Sequence, residues 1–228
     1  MSPNKFAKSD PVYSRILVPQ RYYRQPVISR LVSRYGLTVN ITAASLVSGS
    51  ESDGWFDLEL SGNPQQLTNS LSYLQGLGVN LVQLAIANHI QPKQHNLSFP
   101  HPVGANYQPN PQIPTKSVSL TTQWQAEFQQ WITQGQSNRI RLQLCILKTY
   151  SQKPIISQLV SRYGLTVNIT SALLQPDMQD DGWFDLDLWG RSKQLRSSLS
   201  YLEKLGLPIW LDCSSILGDR PSNPEKFL

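Results

Sequence analysis

Cysteine is nearly absent: Cys145 and Cys213 are the two in 228 residues. They fit no C-x-x-C spacing, which excludes a dithiol redox motif, and they are too few to hold an iron–sulfur cluster. No stretch of 18 apolar residues occurs, so no membrane-spanning helix is expected. No secretory leader is recognisable at the start, and the expectation is a cytoplasmic protein with free thiols. Histidine is scarce too. His89, His95 and His101 recur every six residues in an irregular stretch, whereas metal sites use tighter spacing or rigid elements, so neither metal nor cofactor is expected. A G-x-x-x-x-G-K-[ST] loop is missing, which excludes a P-loop ATPase. Charged residues make up 15% with a formal net charge of +5. That excess permits an anionic partner, but no five basic residues run together.

What the sequence has is one passage written twice. Residues 26–84 return at 154–212 without a gap, with about 34 identities in 59 aligned positions. A repeat this long is a domain rather than a solenoid unit, and two sister domains in one chain can build a twofold-like interface.

Within each repeat the signals follow one order. Pro26 and Pro154 suit a first helical turn, and Val27, Ile28, Leu31, Val32 and Tyr35 make one helical face. Gly36 and Gly164 then suit a left-handed helix end. Leu37–Thr42 and 165–170 alternate strictly, with Leu37, Val39 and Ile41 facing inward and Thr38, Asn40 and Thr42 outward. Trp55–Leu60 alternates again, placing Phe56, Leu58 and Leu60 inside and Trp55, Asp57 and Glu59 on the open face. Asn63-Pro64 opens a second helix, with Leu67, Leu71 and Leu74 inward, that stops near Gly78. A last strand spans Val79–Leu84 or Leu207–Leu211, and a first strand precedes each repeat at Arg15–Val18 and Arg139–Ile146.

The order is βαββαβ twice. The expected fold is α+β: two ferredoxin-like sandwiches forming an intramolecular pseudo-dimer. The expected domains are 13–86 and 138–213, with mobile tails at 1–12 and 214–228. Between them, 87–137 is a proline-broken linker carrying an amphipathic helix near 121–134. Trp124, Phe128, Trp131 and Ile132 form its apolar stripe, suited to packing on a neighbouring domain.

Four ordered motifs carry a family resemblance. They are P-x-I-S-x-L in the first helix, V-N-I on the second strand, G-x-F-x-L-x-L-x-G on the third, and Y-L-x-x-L ending the second helix. The set, present twice, resembles the NIL domain, known as the C-terminal regulatory piece of methionine-import ABC-transporter ATPases and from stand-alone or ferredoxin-fused proteins. The resemblance implies a fold related in shape to ACT domains, pairing between two copies and, in the transporters, methionine binding at the pairing surface. Asn40-Ile41 and Asn168-Ile169 match the family pattern, as do Gly54 and Gly182 where the third strand starts. Thr42 and Thr170 stand where the family often has a third apolar residue.

The longest identical block is Leu31–Thr42 against Leu159–Thr170. Core packing explains its apolar positions, but not Thr38, Thr166, Asn40 and Asn168. Two readings stay open: a ligand or interface role, and inheritance with local hydrogen bonding. On the first, the Asn40 and Asn168 amides clamp an ammonium-carboxylate ligand. Its carboxylate meets N–H groups near Val27–Ser29 and Ile155–Ser157, and its side chain enters a pocket between the domains. The ligand expected is an amino acid, methionine or a relative, and ligand binding would alter contact with an unidentified protein partner.

Other chemistries fit less well. Asp57 and Glu59 lie about 7 Å apart along one strand, a separation that could serve acid/base work. However, the first strand projects Arg139 and Arg141 onto the same face, and cross-strand ion pairing is the ordinary outcome. No enzyme is expected. Cys145 reads as a structural thiol on the outer sheet face. A protein-interaction module without ligand is the main alternative. An RNA-binding pair is weaker, because the acids beside Trp55 and Trp183 repel phosphate and no [KR]-G-[FY] signature occurs.

Overall fold

Each repeat converts the same signals into four strands and two helices. The computed structural model describes residues 10–47, 52–86, 139–176 and 180–211, with backbone alone for 82–86. The expected linker 87–137 with its helix near 121–134, the three histidines, Cys213, residues 1–9 of the expected 1–12 tail and the tail at 214–228 lie outside the described residues; the last residue of that first tail, Val12, already belongs to a strand. The first repeat comprises β1 (Val12–Val18), α1 (Val27–Ser33), β2 (Thr38–Leu46), β3 (Gly54–Ser61), α2 (Pro64–Gly76) and β4 (Asn80–Ile86). The second comprises β5 (Arg139–Ile146), α3 (Ile155–Ser161), β6 (Thr166–Leu174), β7 (Gly182–Trp189), α4 (Ser192–Lys204) and β8 (Ile209–Leu211).

The strands form one antiparallel sheet in the order β4-β1-β3-β2-β6-β7-β5-β8. It becomes continuous where β2 pairs with β6, through Ala44–Leu174, Ser45–Leu173 and Leu46–Ala172. This pairing corrects the expected strand end at Thr42. The register shifts between Ile41 and Ala43, and again between Ile169 and Ser171. A β-bulge puts one extra residue into the strand, so a period-two pattern breaks there although the strand continues. Beyond the bulge, Ala44 and Leu46 return to the buried face. The bulge residues are Thr42 and Thr170, whose hydroxyls donate to the carbonyls of Asp57 and Asp185 at 3.3 and 3.1 Å.

Helix ends follow their residues closely. Asn63 caps α2 by accepting from Gln66 N, while Gln66 Oε1 accepts from Asn63 N, both at 2.8 Å. Arg191 takes Asn63's place in α4, and only the second of these bonds remains. Both helices close on a left-handed glycine, Gly78 (φ 70°) or Gly206 (φ 68°). There Val79 N bonds Leu74 O and Leu207 N bonds Leu202 O, the reach of a Schellman motif. On α2 the fully buried positions are Leu74 and Ser70, and Leu71 is half-buried instead of inward. The Ser70 hydroxyl folds back to Leu67 O at 2.7 Å, which lets the helix lie close to the sheet.

The helices cover one sheet face around a core that includes Leu31, Leu58, Leu60, Leu159, Leu186 and Leu188. The other face carries the alternating polar set. Arg15 grips Asp57 through two bonds of 2.5 Å and stacks its guanidinium 4.5 Å from the Trp55 ring centre. In the second repeat Asp187 receives Arg139 at 2.7 Å and Arg141 at 3.1 Å. Cross-strand pairing thus accounts for these carboxylates, as the sequence suggests. Gln143 occupies Arg15's place and donates to Asp185 at 2.9 Å. Cys145 pairs in register with Trp183, on that same face. Burial, helped by the Asp181 charge, pushes its thiol up to about 11, so it is not a thiolate nucleophile near neutral pH.

Candidate functional site

The repeats meet through reciprocal contacts of equivalent residues. Because β2 and β6 pair over only three residues, the upstream N–H groups of each strand need other acceptors inside a buried interface. The Ser157 hydroxyl of α3 accepts from Val39 N at 3.2 Å, and the Ser29 hydroxyl of α1 accepts from Val167 N at 3.1 Å. Ser171 adds a bond from its hydroxyl to Leu46 O at 3.0 Å.

Asn40 and Asn168 are buried, although alternation within a single repeat puts them on an outer face. The covering element is the other repeat. Asn40 Nδ2 donates to Ser151 O at 3.1 Å and, at 3.4 Å, to Glu59 Oε2. Asn168 Nδ2 donates to Tyr23 O at 2.9 Å. Ser151 and Tyr23 belong to the turns that join β5 to α3 and β1 to α1.

Two clefts open beside these asparagines. In one, Val39, Asn40 and Ile41 face Tyr150, Ser151 and Ile155 across about 400 Å³ of space partly open to solvent. In the other, Val167, Asn168 and Ile169 face Tyr22, Tyr23 and Val27 across about 310 Å³. Each cleft therefore has a strand wall from one repeat and a turn wall from the other. The walls are mostly apolar, with one buried amide in each.

The remaining expected site residues lie elsewhere. Thr38 and Thr166 are exposed and line neither cleft. Ser29 and Ser157 are buried in the contacts just described. Gly54 is a packing position: a Cβ there would overlap Leu46 Cδ1 and lie 3.1 Å from Tyr23 Oη. At Gly182 an added Cβ would come within 3.0 Å of Leu174 and 3.1 Å of Phe184.

The turns 19–25 and 147–153 are what the sequence reading missed. They lie just ahead of the repeat as aligned and are mostly dissimilar. The available signal was Tyr22 and Tyr150, identical at the same offset. The Tyr150 hydroxyl donates to Leu205 O at 2.9 Å, which fixes the turn against its own repeat. Among the described residues no cluster of three potential metal ligands occurs, and no helix is long and apolar enough to cross a membrane.

The family model described as NIL domain matches residues 13–82 and 140–210. An uncharacterized protein of Synechocystis sp. is 42% identical over 79 residues, 35% of this chain and 80% of the relative. An uncharacterized protein of Synechococcus elongatus is 32% identical over 73 residues, 32% of this chain and 90% of the relative. Each relative is therefore about as long as one repeat. A putative glycine cleavage system transcriptional repressor aligns over 90% of this chain and 97% of its own, at 12% identity and a TM-score of 0.26. An unknown protein from Galdieria sulphuraria aligns over 90% and 98%, at 9% identity and a TM-score of 0.25. Scores this low bear on neither fold nor function. The matched family segments fall one on each repeat and together span more than half of the sequence, so the chain belongs to the NIL-domain family.

Proposed function

We propose that this chain is a non-enzymatic regulatory module: two ferredoxin-like units paired as an intramolecular pseudo-dimer, binding a small amino acid between them. One observation carries the reading. Each cleft combines a buried asparagine amide with apolar walls drawn from both repeats, so an occupant bridges the two halves. The resemblance to the regulatory domain of methionine importers makes methionine or a relative the first ligand to test.

The energetics are reasonable. An amino acid of about nine heavy atoms held at micromolar strength needs about −8 kcal/mol, within known ligand efficiency. Binding that contacts both repeats favours one packing of the halves. Such differential affinity is what couples a ligand to a downstream protein partner. The open sheet face favours no catalytic alternative, because its aspartates are engaged by Arg15, Arg139, Arg141 and Gln143.

Calorimetric titration of the full chain with L-methionine, L-leucine and S-adenosylmethionine tests the proposal. Binding that disappears in the Asn40→Ala/Asn168→Ala double variant, with cooperative unfolding retained, supports it. Unchanged affinity in the variant removes the assigned site. No binding of any amino acid by the wild-type chain leaves a protein-interaction module as the function.

A further inference from the structure

The two clefts are equivalent in position but not in chemistry. Their strand walls, Val39–Ile41 and Val167–Ile169, are identical, whereas the facing turns have diverged. At the repeat offset, Ser151 corresponds to Tyr23, Lys153 to Gln25, Lys148 to Gln20 and Asp180 to Ser52. The cleft beside Asn40 consequently has Lys148, Lys153 and Asp180 in its wall. Among the described residues, no charged side chain lines the cleft beside Asn168.

Tyr23 separates them further. Its hydroxyl donates to Ser52 O at 2.8 Å, which fixes the ring in the wall of the Asn168 cleft. Ser151, at the equivalent place, carries no ring into the Asn40 cleft. Lys153 is also positioned: its Nζ lies 4.5 Å from the centre of the Tyr150 ring, a ring anchored through its hydroxyl to Leu205 O. A cation held over an aromatic face at the rim of an apolar cleft suits a carboxylate better than a freely moving lysine does.

Resting on the binding function proposed above, we propose that the chain has one ligand site and not two. The Asn40 cleft takes a zwitterionic α-amino acid with an apolar side chain. Lys148 and Lys153 meet its carboxylate, Asp180 its ammonium, and Val39, Ile41 and Ile155 its side chain. The Asn168 cleft, without that pair of lysines and with Ser52 in place of Asp180, is the twin that holds no ligand.

Calorimetry on the full chain tests this with L-methionine as probe. The expected stoichiometry is one per chain. Methioninamide, which lacks the carboxylate, should bind about tenfold more weakly or less, the loss of one charge-assisted contact. Lys148→Gln with Lys153→Gln should weaken methionine to a similar degree without lowering the melting temperature, since both lysines are exposed. Two equal sites in the wild-type chain, or affinity indifferent to both lysines, would overturn the single-site assignment while leaving the interface function standing. Absence of binding by wild type would defeat both.

Discussion

The Ser157 hydroxyl accepts a hydrogen bond from Val39 N–H across the boundary between the repeats, 3.2 Å from donor to acceptor. Both residues are buried, so water has little access to replace either partner. Ser157→Ala should therefore leave an unsatisfied buried donor and cost about 1–3 kcal/mol. The symmetric Ser29→Ala should cost a similar amount through Val167. Urea unfolding measures both. A loss within a few tenths of a kcal/mol in either variant would mean that the hydroxyls do not hold the interface.

Asp57 and Asp185 occupy the same position in the two repeats and should respond oppositely to neutralisation. Asp57 is bonded to the Arg15 guanidinium, and that bond, chiefly, raises the Arg15 pKa. Asp57→Asn should cost about 1 kcal/mol. Among the described residues the side-chain donor to the Asp185 carboxylate is neutral Gln143, and burial raises the carboxyl pKa against the opposing pull of that bond. A carboxyl raised in the folded state binds its proton more tightly there than in the unfolded chain. Its contribution is thus fully present below the ordinary carboxylate range and is lost as the pH rises through the raised value. Asp185→Asn should therefore be more stable than wild type at pH 7, with the gain shrinking as the pH falls through the acidic range. Denaturation at pH 7 and pH 4 checks the sign, and destabilisation by Asp185→Asn at pH 7 would contradict it.

Most of the fold was legible in the sequence because it is local. Helix faces, the Asn63 cap, the glycine ends and the alternation of β3 and β7 are set by neighbours in the chain. The rest was hidden for two physical reasons. A single bulge residue, Thr42 or Thr170, disguises the continuation of β2 and β6 into the three-pair contact that joins the sheets. The surroundings of Asn40 and Asn168 come from the opposite repeat, so periodicity reads a buried amide as an outer one. The cleft turns around Tyr23 and Ser151 differ in sequence between repeats, so the comparison that revealed the duplication passed over them.

Gly54 and Gly76 give a paired test of packing against ligand contact. A Cβ at Gly54 collides with Leu46, whereas one at Gly76 meets nothing within 4 Å. Gly54→Ala should lose about 1–3 kcal/mol through overpacking. Gly76→Ala, at the last position of α2, should gain about 0.5–1 kcal/mol by restricting the unfolded chain. Thermal unfolding without ligand measures both. A fully stable Gly54→Ala chain would return that glycine to the list of direct ligand contacts.

The central claim is that an amino acid binds between the repeats and ties them together. Its most direct test is a thermal-unfolding screen of the full chain against all twenty amino acids at millimolar concentration. A ligand at one hundred times its dissociation constant adds about 2.7 kcal/mol, which for a protein of this size raises the melting temperature by about 5–10 °C. The account predicts such a rise for methionine or a close apolar relative. A flat response to every amino acid would contradict it.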